Sequence, residues 1–344
     1  MEVRADAAFL TGSVGALQEL KRCVGVATVN QLRQAWPAHF SSMDVATANL
    51  EARGADGTVR HWQSDQPTGL AKPQKSWTTS INEKLSKDLP ILADNRHAAA
   101  IQSAVTSEGS RFLQLPSQSC EKMSDDAFRT AARRRLGLTP TASNVPISST
   151  CQNVKKKDGT RCAAVLDSAG HHGCVCEAGG ALDRRNNAVR DRLAKRLADD
   201  LQLSTRTEQR CPQWDKIDAH GKLAEARLDI IVPMGNVTYY IDVTVVDVLS
   251  TDPALERQRA NRDGAAAASA EDKKLVKYPG AATIPFAIES YGRIGTAGLA
   301  WLKRAYHESP ACMQALLNEL SALVQSHTAS MVLAACAAPA RGRA

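Results

Sequence analysis

The sequence predicts an α/β protein, a mixed sheet flanked by helices, and three stretches carry that expectation. The first is 227–247, RLDIIVPMGNVTYYIDVTVVD, with apolar runs at 228–232 and 237–246 split by Pro233-Met234-Gly235-Asn236. Pro and Gly between β-branched runs mark a turn, so the stretch reads as a β-hairpin. The second is 182–203, where Val189, Leu193, Leu197 and Leu201 recur every four residues as in an amphipathic helix. The third is 252–289, in which the alanines at 265–268 and 270 and the lysines at 273, 274 and 277 favour helix. TIPFAIE at 283–289 follows as a further strand, with Pro285 suited to a sheet edge or a strand end.

Within the hairpin, Tyr239, Ile241, Val243 and Val245 alternate with Tyr240, Asp242, Thr244 and Val246. Both sets are mostly apolar, so the second strand is expected to be buried on both sides. Asp229 and Asp242 interrupt this apolar wall. A buried charge is costly unless it is paired or binds a metal. Two acids on neighbouring core strands therefore suggest a metal site; the plainer reading is a pair of solvated or salt-bridged strand ends. Hard oxygen ligands suit Mg²⁺. The two carboxylates can share one ion only if both leave the same face, with Ile241, Val243 and Val245 backing onto the opposite core layer.

The chain has 344 residues, enough for about two domains. An apolar content of 43% supports a core, and the net charge of +7 suggests an anionic partner such as nucleic acid. Four of the nine cysteines fall within 151–176, beside two histidines. An odd total and one tight cluster point to a metal site instead of a disulfide framework. No apolar run reaches the ~18 residues of a membrane span, and the opening MEVRAD is not a signal-peptide core. The expectation is a soluble protein of a reducing compartment, nuclear or cytoplasmic, with no membrane partner.

Residues 1–55 read as helical, 56–80 as a loop, and 80–107 as helical again, with Ile81, Leu85, Leu89 and Ile91 on its apolar side. Trp36, Trp62 and Trp77 read as packing residues. SDDAFRTAARRRLGL at 124–138 predicts a helix capped by Ser124, with Phe128, Ala131 and Leu136 on a partial apolar face and Gly137 as its stop. Arg133, Arg134 and Arg135 form either a solvated face or a phosphate contact. Residues 139–150 read as a linker, and 299–306 and 313–332 as helices.

Residues 151–176, CQNVKKKDGTRCAAVLDSAGHHGCVC, offer more zinc ligands than a four-coordinate site takes. Asp158-Gly159 is a turn signal that sets Cys151 and Cys162 on two hairpin arms. The chosen set is Cys151, Cys162, His172 and Cys176; His171 and Cys174 are spares that spacing does not exclude. After it, Glu208 lies in a short strand or its approach at 204–211.

The order of these motifs resembles the C-terminal region of non-LTR retrotransposon proteins, which carry a zinc knuckle and a restriction-like endonuclease of the PD-(D/E)XK superfamily. The matching residues are the cysteine-histidine knuckle, RRNNAVRD at 184–191, Glu208, Leu228-Asp229, IDVTVV at 241–246 and KLVKY at 274–278. RFLQLPSQ and RRRLGL upstream resemble the segment joining polymerase to knuckle in that family. The match covers roughly 110–300. No polymerase motif stands out in residues 1–110, so the chain looks like the tail of such an element.

The resemblance implies a helical, polymerase-tail-like region at 1–138, a CCHC-type knuckle at 151–180, a restriction-endonuclease-like core at 182–308 and a C-terminal helix and tail at 309–344. It implies Mg²⁺ or Mn²⁺ held by Asp229 and Asp242 with Glu208 nearby, and Lys274 or Lys277 at the scissile phosphate. Zn²⁺ would sit on Cys151, Cys162, His172 and Cys176. Arg184, Arg185, Asn187 and Arg190 would face nucleic acid, DNA first and RNA second, on a basic helix side continued by Arg192, Lys195 and Arg196. The implied function is a DNA endonuclease that nicks target DNA for integration; the alternative is a zinc-containing nucleic-acid-binding remnant without catalysis. Three positions depart from the family pattern: Asn186 replaces its histidine, Leu228 its proline, and Thr244 the superfamily's usual lysine.

Overall fold

The computed structural model describes residues 94–337, apart from 115, 117, 141–148, 169 and 218–219. The helices expected before residue 94, the three tryptophans there, most of the linker and the tail after 337 lie outside the described residues. Helix α1 (Asn95–Ala104) opens on Asp94, whose carboxylate accepts the His97 N–H. The single turn α2 (Ser107–Ser110) follows. Helix α3 (Asp125–Arg135) begins at the expected cap, with the Ser124 hydroxyl accepting from the Ala127 N–H and two aspartates in its first turn.

The apolar face expected on α3 is corrected. Phe128 and Leu136 are exposed, and the buried side is Ala127, Thr130, Ala131 and Arg134. Ala127 and Ala131 pack with Phe112, Ala322 and Ala329, and small side chains permit that close approach of two helices. The three arginines are engaged by the protein itself. Arg133 donates to the Thr139 carbonyl, Arg135 to the carbonyls of Ala104 and Gly109, and Arg134 lies buried with its guanidinium 4.7 Å from the Tyr291 ring centroid.

The cysteine-rich segment forms a small hairpin, with bridges Thr150–Val165 and Val154–Arg161 and a turn at Gly159 (φ +69°). Helix α4 (His171–Val175) and the long α5 (Ala181–Leu201) follow. Strand β1 (Arg206–Arg210), a two-stranded excursion of β2 (Lys216–Ile217) and β3 (Leu223–Ala224), and the hairpin β4 (Arg227–Met234) and β5 (Val237–Val246) come next. Gly235, at φ +60°, closes the β4–β5 turn. Helices α6 (Pro253–Asn261) and α7 (Ala265–Lys277), strand β6 (Thr283–Glu289), and helices α8 (Thr296–Ala305) and α9 (Pro310–Cys336) complete the chain.

The four-stranded sheet runs β1-β4-β5-β6. Its first two pairings are antiparallel and the β5–β6 pairing is parallel, so the sheet is mixed. Strand β6 is an edge, as Pro285 requires. One face carries Ile230, Val232, Ile241, Val243, Val245 and Phe286 against Leu193 and Leu197 of α5, Trp301 of α8 and Leu316 of α9. On the other face, Ala287 meets Ala267 and Ala270 of α7. The result is an α/β fold with helices on both sides of the sheet. Among the described residues no helix is long and apolar enough to cross a membrane.

Helix α9 also carries the cysteine-rich segment. The Gln152 N–H donates to the Ala335 carbonyl at 3.0 Å, and Val332 packs on Cys174. A Cβ at Gly173 would stand 2.9 Å from Val332 Cα. Gly173→Ala is therefore expected to push α4 off α9 and cost about 1–3 kcal/mol, read as a lowered midpoint of denaturant unfolding.

Candidate functional site

The register builds the first site. The pairs Thr207–Ile230 and Gln209–Leu228 set Glu208 across from Asp229, and the Ile230–Ile241 pair sets Asp229 across from Asp242. Directly opposite residues of antiparallel strands share a face. Asp229 and Asp242 thus leave the sheet together, on the α7 side, while Ile241, Val243 and Val245 fill the opposite core. Asp229 Oδ2 accepts the Val243 N–H at 2.6 Å, which pins its side chain across the hairpin. Asp242 is 5% exposed. Its Oδ1 receives Lys274 Nζ at 3.0 Å, and its Oδ2 has no hydrogen-bond partner.

Burial, and then the Asp242 charge, push the Asp229 carboxyl up to about 7. With Asp242 buried and Asp229 half-buried, one lysine balances only one of the two acids once both are ionised, and one Asp242 oxygen is left without a partner. Helix α7 presents Lys274 to this pair. Lys277, one turn on, has its Nζ 4.7 Å from the Tyr278 ring centroid; hydrogen bonding to Tyr278, with the charges of Asp242 and Asp229 adding, raises its pKa. Lys274, not Lys277, is thus the lysine in contact with an acid.

Glu208 does not join the pair. Its φ is +54°, left-handed in mid-strand, and its carboxylate is bound to Arg190 of α5. Left-handed backbone is uncommon for a side chain with a Cβ and recurs at functional sites. The row of three acids set by the register becomes a pair, because a cation on the helix holds the third.

Helix α5 also departs from the expected basic binding face. Arg185 is 1% exposed and donates to the Val245 carbonyl at 3.1 Å and to Thr328 at 3.3 Å, so contact with nucleic acid does not fit its position. Asn186 Oδ1 accepts the Val245 N–H at 3.1 Å. Arg190 is buried and binds Asp191 and Asn187 besides Glu208. Arg192 lies 2.9 Å from the buried Glu319 of α9, and Arg196 lies 3.1 Å from Asp200. Arg184, Asn187 and Lys195 remain at the surface. The arginines flank the apolar stripe of α5; acids of α5 itself, β1 and α9 pair Arg190, Arg192 and Arg196, and a carbonyl and a hydroxyl accept from Arg185.

The second site is a cysteine-histidine cluster. Cys151, Cys162, His172 and Cys176 present ligand atoms that all lie within 4.8 Å of one another, the four chosen from six candidates. Sulfurs bound to one tetrahedral ion at ~2.3 Å stand about 3.8 Å apart. Cys151 Sγ and Cys176 Sγ are 3.7 Å apart, and Cys162 Sγ is 3.4 Å from His172 Nε2. The cluster could hold a metal ion and is compatible with zinc. Burial pushes the Cys151 thiol up to about 12, whereas a hydrogen bond from the Ala164 backbone lowers that of Cys162.

The spares have other roles. His171 Nδ1 lies 2.9 Å from Asp247 Oδ2, whose Oδ1 accepts the Ser290 hydroxyl at 2.6 Å. Burial alone would raise the Asp247 carboxyl, but the His171 hydrogen bond and the Arg134 charge hold it well below the usual carboxylate range. Cys174 is buried beside Arg134, with its thiol pushed up to about 12 by burial. Sequence reasoning missed this network, whose members come from α3, α4 and two loops. His171→Ala is expected to lower stability yet leave one metal ion per chain, whereas His172→Ala loses the ion, as measured by metal analysis after gel filtration.

The chain matches no protein-family model and no curated protein at a significant level.

Proposed function

We propose that this protein is a metal-dependent DNA endonuclease that nicks target DNA by phosphodiester hydrolysis, of the restriction-like PD-(D/E)XK kind found in non-LTR retrotransposon proteins. The observation that carries this reading is the Asp229–Asp242 pair on one sheet face, Asp242 buried and Asp229 half-buried, with Lys274 against one Asp242 oxygen and the other Asp242 oxygen unpartnered. The element order supports it: α5, then β1, β4 and β5, then α7 and β6, is the succession the resemblance implies around such a site.

The donor set fits a hard divalent cation, Mg²⁺ or Mn²⁺, which Asp229 and Asp242 would hold. When bound, such an ion lowers the pKa of water and neutralises phosphoryl charge. The chain's own contributions follow from its geometry. The Val243 N–H fixes Asp229 so that the carboxylates stay side by side. Lys274 neutralises Asp242 before substrate arrives and stands ready to stabilise negative charge on the scissile phosphate. Lys277 adds a second positive charge at the outer end of α7. Zn²⁺ is assigned to the Cys151–Cys162–His172–Cys176 cluster as a structural ion of a knuckle.

A second reading, a zinc-containing remnant that binds DNA or RNA without cleaving it, is favoured by two observations. Glu208 is tied to Arg190, and Asn186 stands where the family has histidine, bound to the backbone of β5. The two readings separate on supercoiled plasmid with Mg²⁺. Nicking by the wild type, slowed roughly 10²–10³-fold in Lys274→Ala with DNA retention unchanged, supports the enzyme. Retention of plasmid by both proteins with no nicking supports the remnant.

A further inference from the structure

Between Arg210 of β1 and Arg227 of β4, which pair with each other, the chain leaves the sheet and makes the small β2–β3 hairpin. Its base is firmly held. Trp214 packs edge-on against Tyr240 at 5.0 Å and Tyr278 at 5.7 Å, and its indole N–H donates to the Pro279 carbonyl. Asp215 accepts from the Ala226 N–H and binds Arg210 at 2.6 Å, closing the neck. The hairpin itself inverts the usual pattern. Ile217 and Leu223 are a directly opposed pair, so they share a face, and they are 74% and 50% exposed.

This exposed pair has a defined neighbourhood. Arg210 lies two residues from Glu208, and Arg227 two residues from Asp229, so the hairpin emerges roughly 7 Å along the strands from the acid pair. The tryptophan clamp ties the same neck to the outer end of α7, where Lys273 and Lys277 are exposed and Val276 is 78% exposed. Lys216 and Lys222 lie on the hairpin beside the apolar pair. Apolar side chains flanked by lysines beside a site for phosphodiester cleavage match a duplex in both its parts: phosphates for the lysines and stacked bases for the aliphatic side chains. Proteins that kink DNA insert apolar wedges of this kind between base steps.

We propose that the β2–β3 hairpin is a wedge, in which Ile217 and Leu223 enter the base stack of a duplex and unstack the step beside the strand held at Asp229 and Asp242. The inference rests on the endonuclease reading for the placement of the duplex, but its own observable is base unstacking. The rigid neck keeps the hairpin from folding back as the bases resist. The apolar pair exchanges water for base faces, which offsets the lost stacking.

The test uses the full chain in an Asp242→Asn background, which holds DNA without cutting it, and a duplex carrying a fluorescent adenine analogue. Binding is expected to raise the fluorescence severalfold. Ile217→Ser/Leu223→Ser, at exposed positions, should keep the melting temperature and lose that rise. With Asp242 restored, the same double substitution should slow nicking of an intact duplex roughly tenfold or more, with recovery on a duplex that carries a mismatched bubble. A rise that survives the double substitution overturns the proposal, as does DNA binding with no rise in either protein. Self-association of the chain that the double substitution abolishes also overturns it, since the pair would then be an interface between copies. Unstacking without nicking by the wild type would leave the wedge standing and remove the endonuclease.

Discussion

Asp242→Asn is expected to abolish nicking, by roughly 10³-fold or more, while the protein remains folded. The site asks for this result. Asp242 is the deepest group on the α7 side of the hairpin, it carries the orphaned oxygen, and it positions Lys274. The amide keeps the side-chain shape and removes the charge that holds the lysine and that would hold the proposed cation. Plasmid nicking with Mg²⁺ and calorimetric titration of Mg²⁺ against wild type and variant check it together. A variant that still nicks at the wild-type rate would remove Asp242 from the chemistry.

A stability effect of opposite sign accompanies this loss at the neighbouring acid. The Asp229 carboxyl is raised to about 7 by burial and by the Asp242 charge, so in the metal-free protein it keeps a proton that the unfolded chain has already lost above about pH 4. Folding stability then falls as pH rises from about 4 to about 7, and the whole penalty is present above that window. Asp229→Asn keeps an oxygen to accept the Val243 N–H and removes the charge. It should stabilise the metal-free protein by roughly 1–3 kcal/mol at pH 8 and change little near pH 4, as followed by urea unfolding at both pH values. Mg²⁺ should narrow the difference at pH 8 by stabilising the wild type alone.

Removing the ion proposed for the cysteine-histidine cluster carries the second large effect. Chelation, or Cys176→Ser, is expected to unfold the segment between Thr150 and Cys176 and lower the stability of the chain by several kcal/mol. That segment has two isolated strand bridges and one five-residue helix, too little regular structure to stand without the ion. Its loss would expose Val332 and Ala335 of α9, which it covers. Hydrogen exchange should report this directly, with protection lost first at the Cys151 and Cys162 amides, which bond to Ala164 and Asn153. Unchanged protection after chelation would mean that the cluster is a set of buried thiols. Because thiols must lose protons to bind the ion, its affinity should fall as pH falls.

Much of the local structure was legible residue by residue. The β4–β5 hairpin, the Ser124 cap, the four-residue repeat of α5 and the edge character of β6 depend on neighbours close in sequence, and local backbone preference decides them. The pair of acids was legible for a related reason. Alternation along β5 and one Gly-containing turn fix the register, and the register fixes which side chains share a face. The cysteine-histidine cluster was legible as a surplus of candidate ligands, and the choice among them turned on where adjacent histidines point.

What the sequence could not carry are the partners of charged groups. Arg185 and Arg190 read as a surface that binds phosphate, yet their partners are Val245, Thr328 and Glu208, 60, 143 and 18 residues away. Arg192 finds Glu319 127 residues on, and His171 finds Asp247 76 residues on. The sequence by itself determined most of the elements, the α/β class, the candidacy of Asp229 and Asp242 and the pool of six candidate metal ligands, because helical and strand periodicity and turn chemistry are local. Only the tertiary structure decided that Lys274 is the lysine on the acids, that Glu208 is turned aside and that most of the basic helix is neutralised. Burial sets the cost of an unpaired charge, and burial exists only once distant segments have packed together.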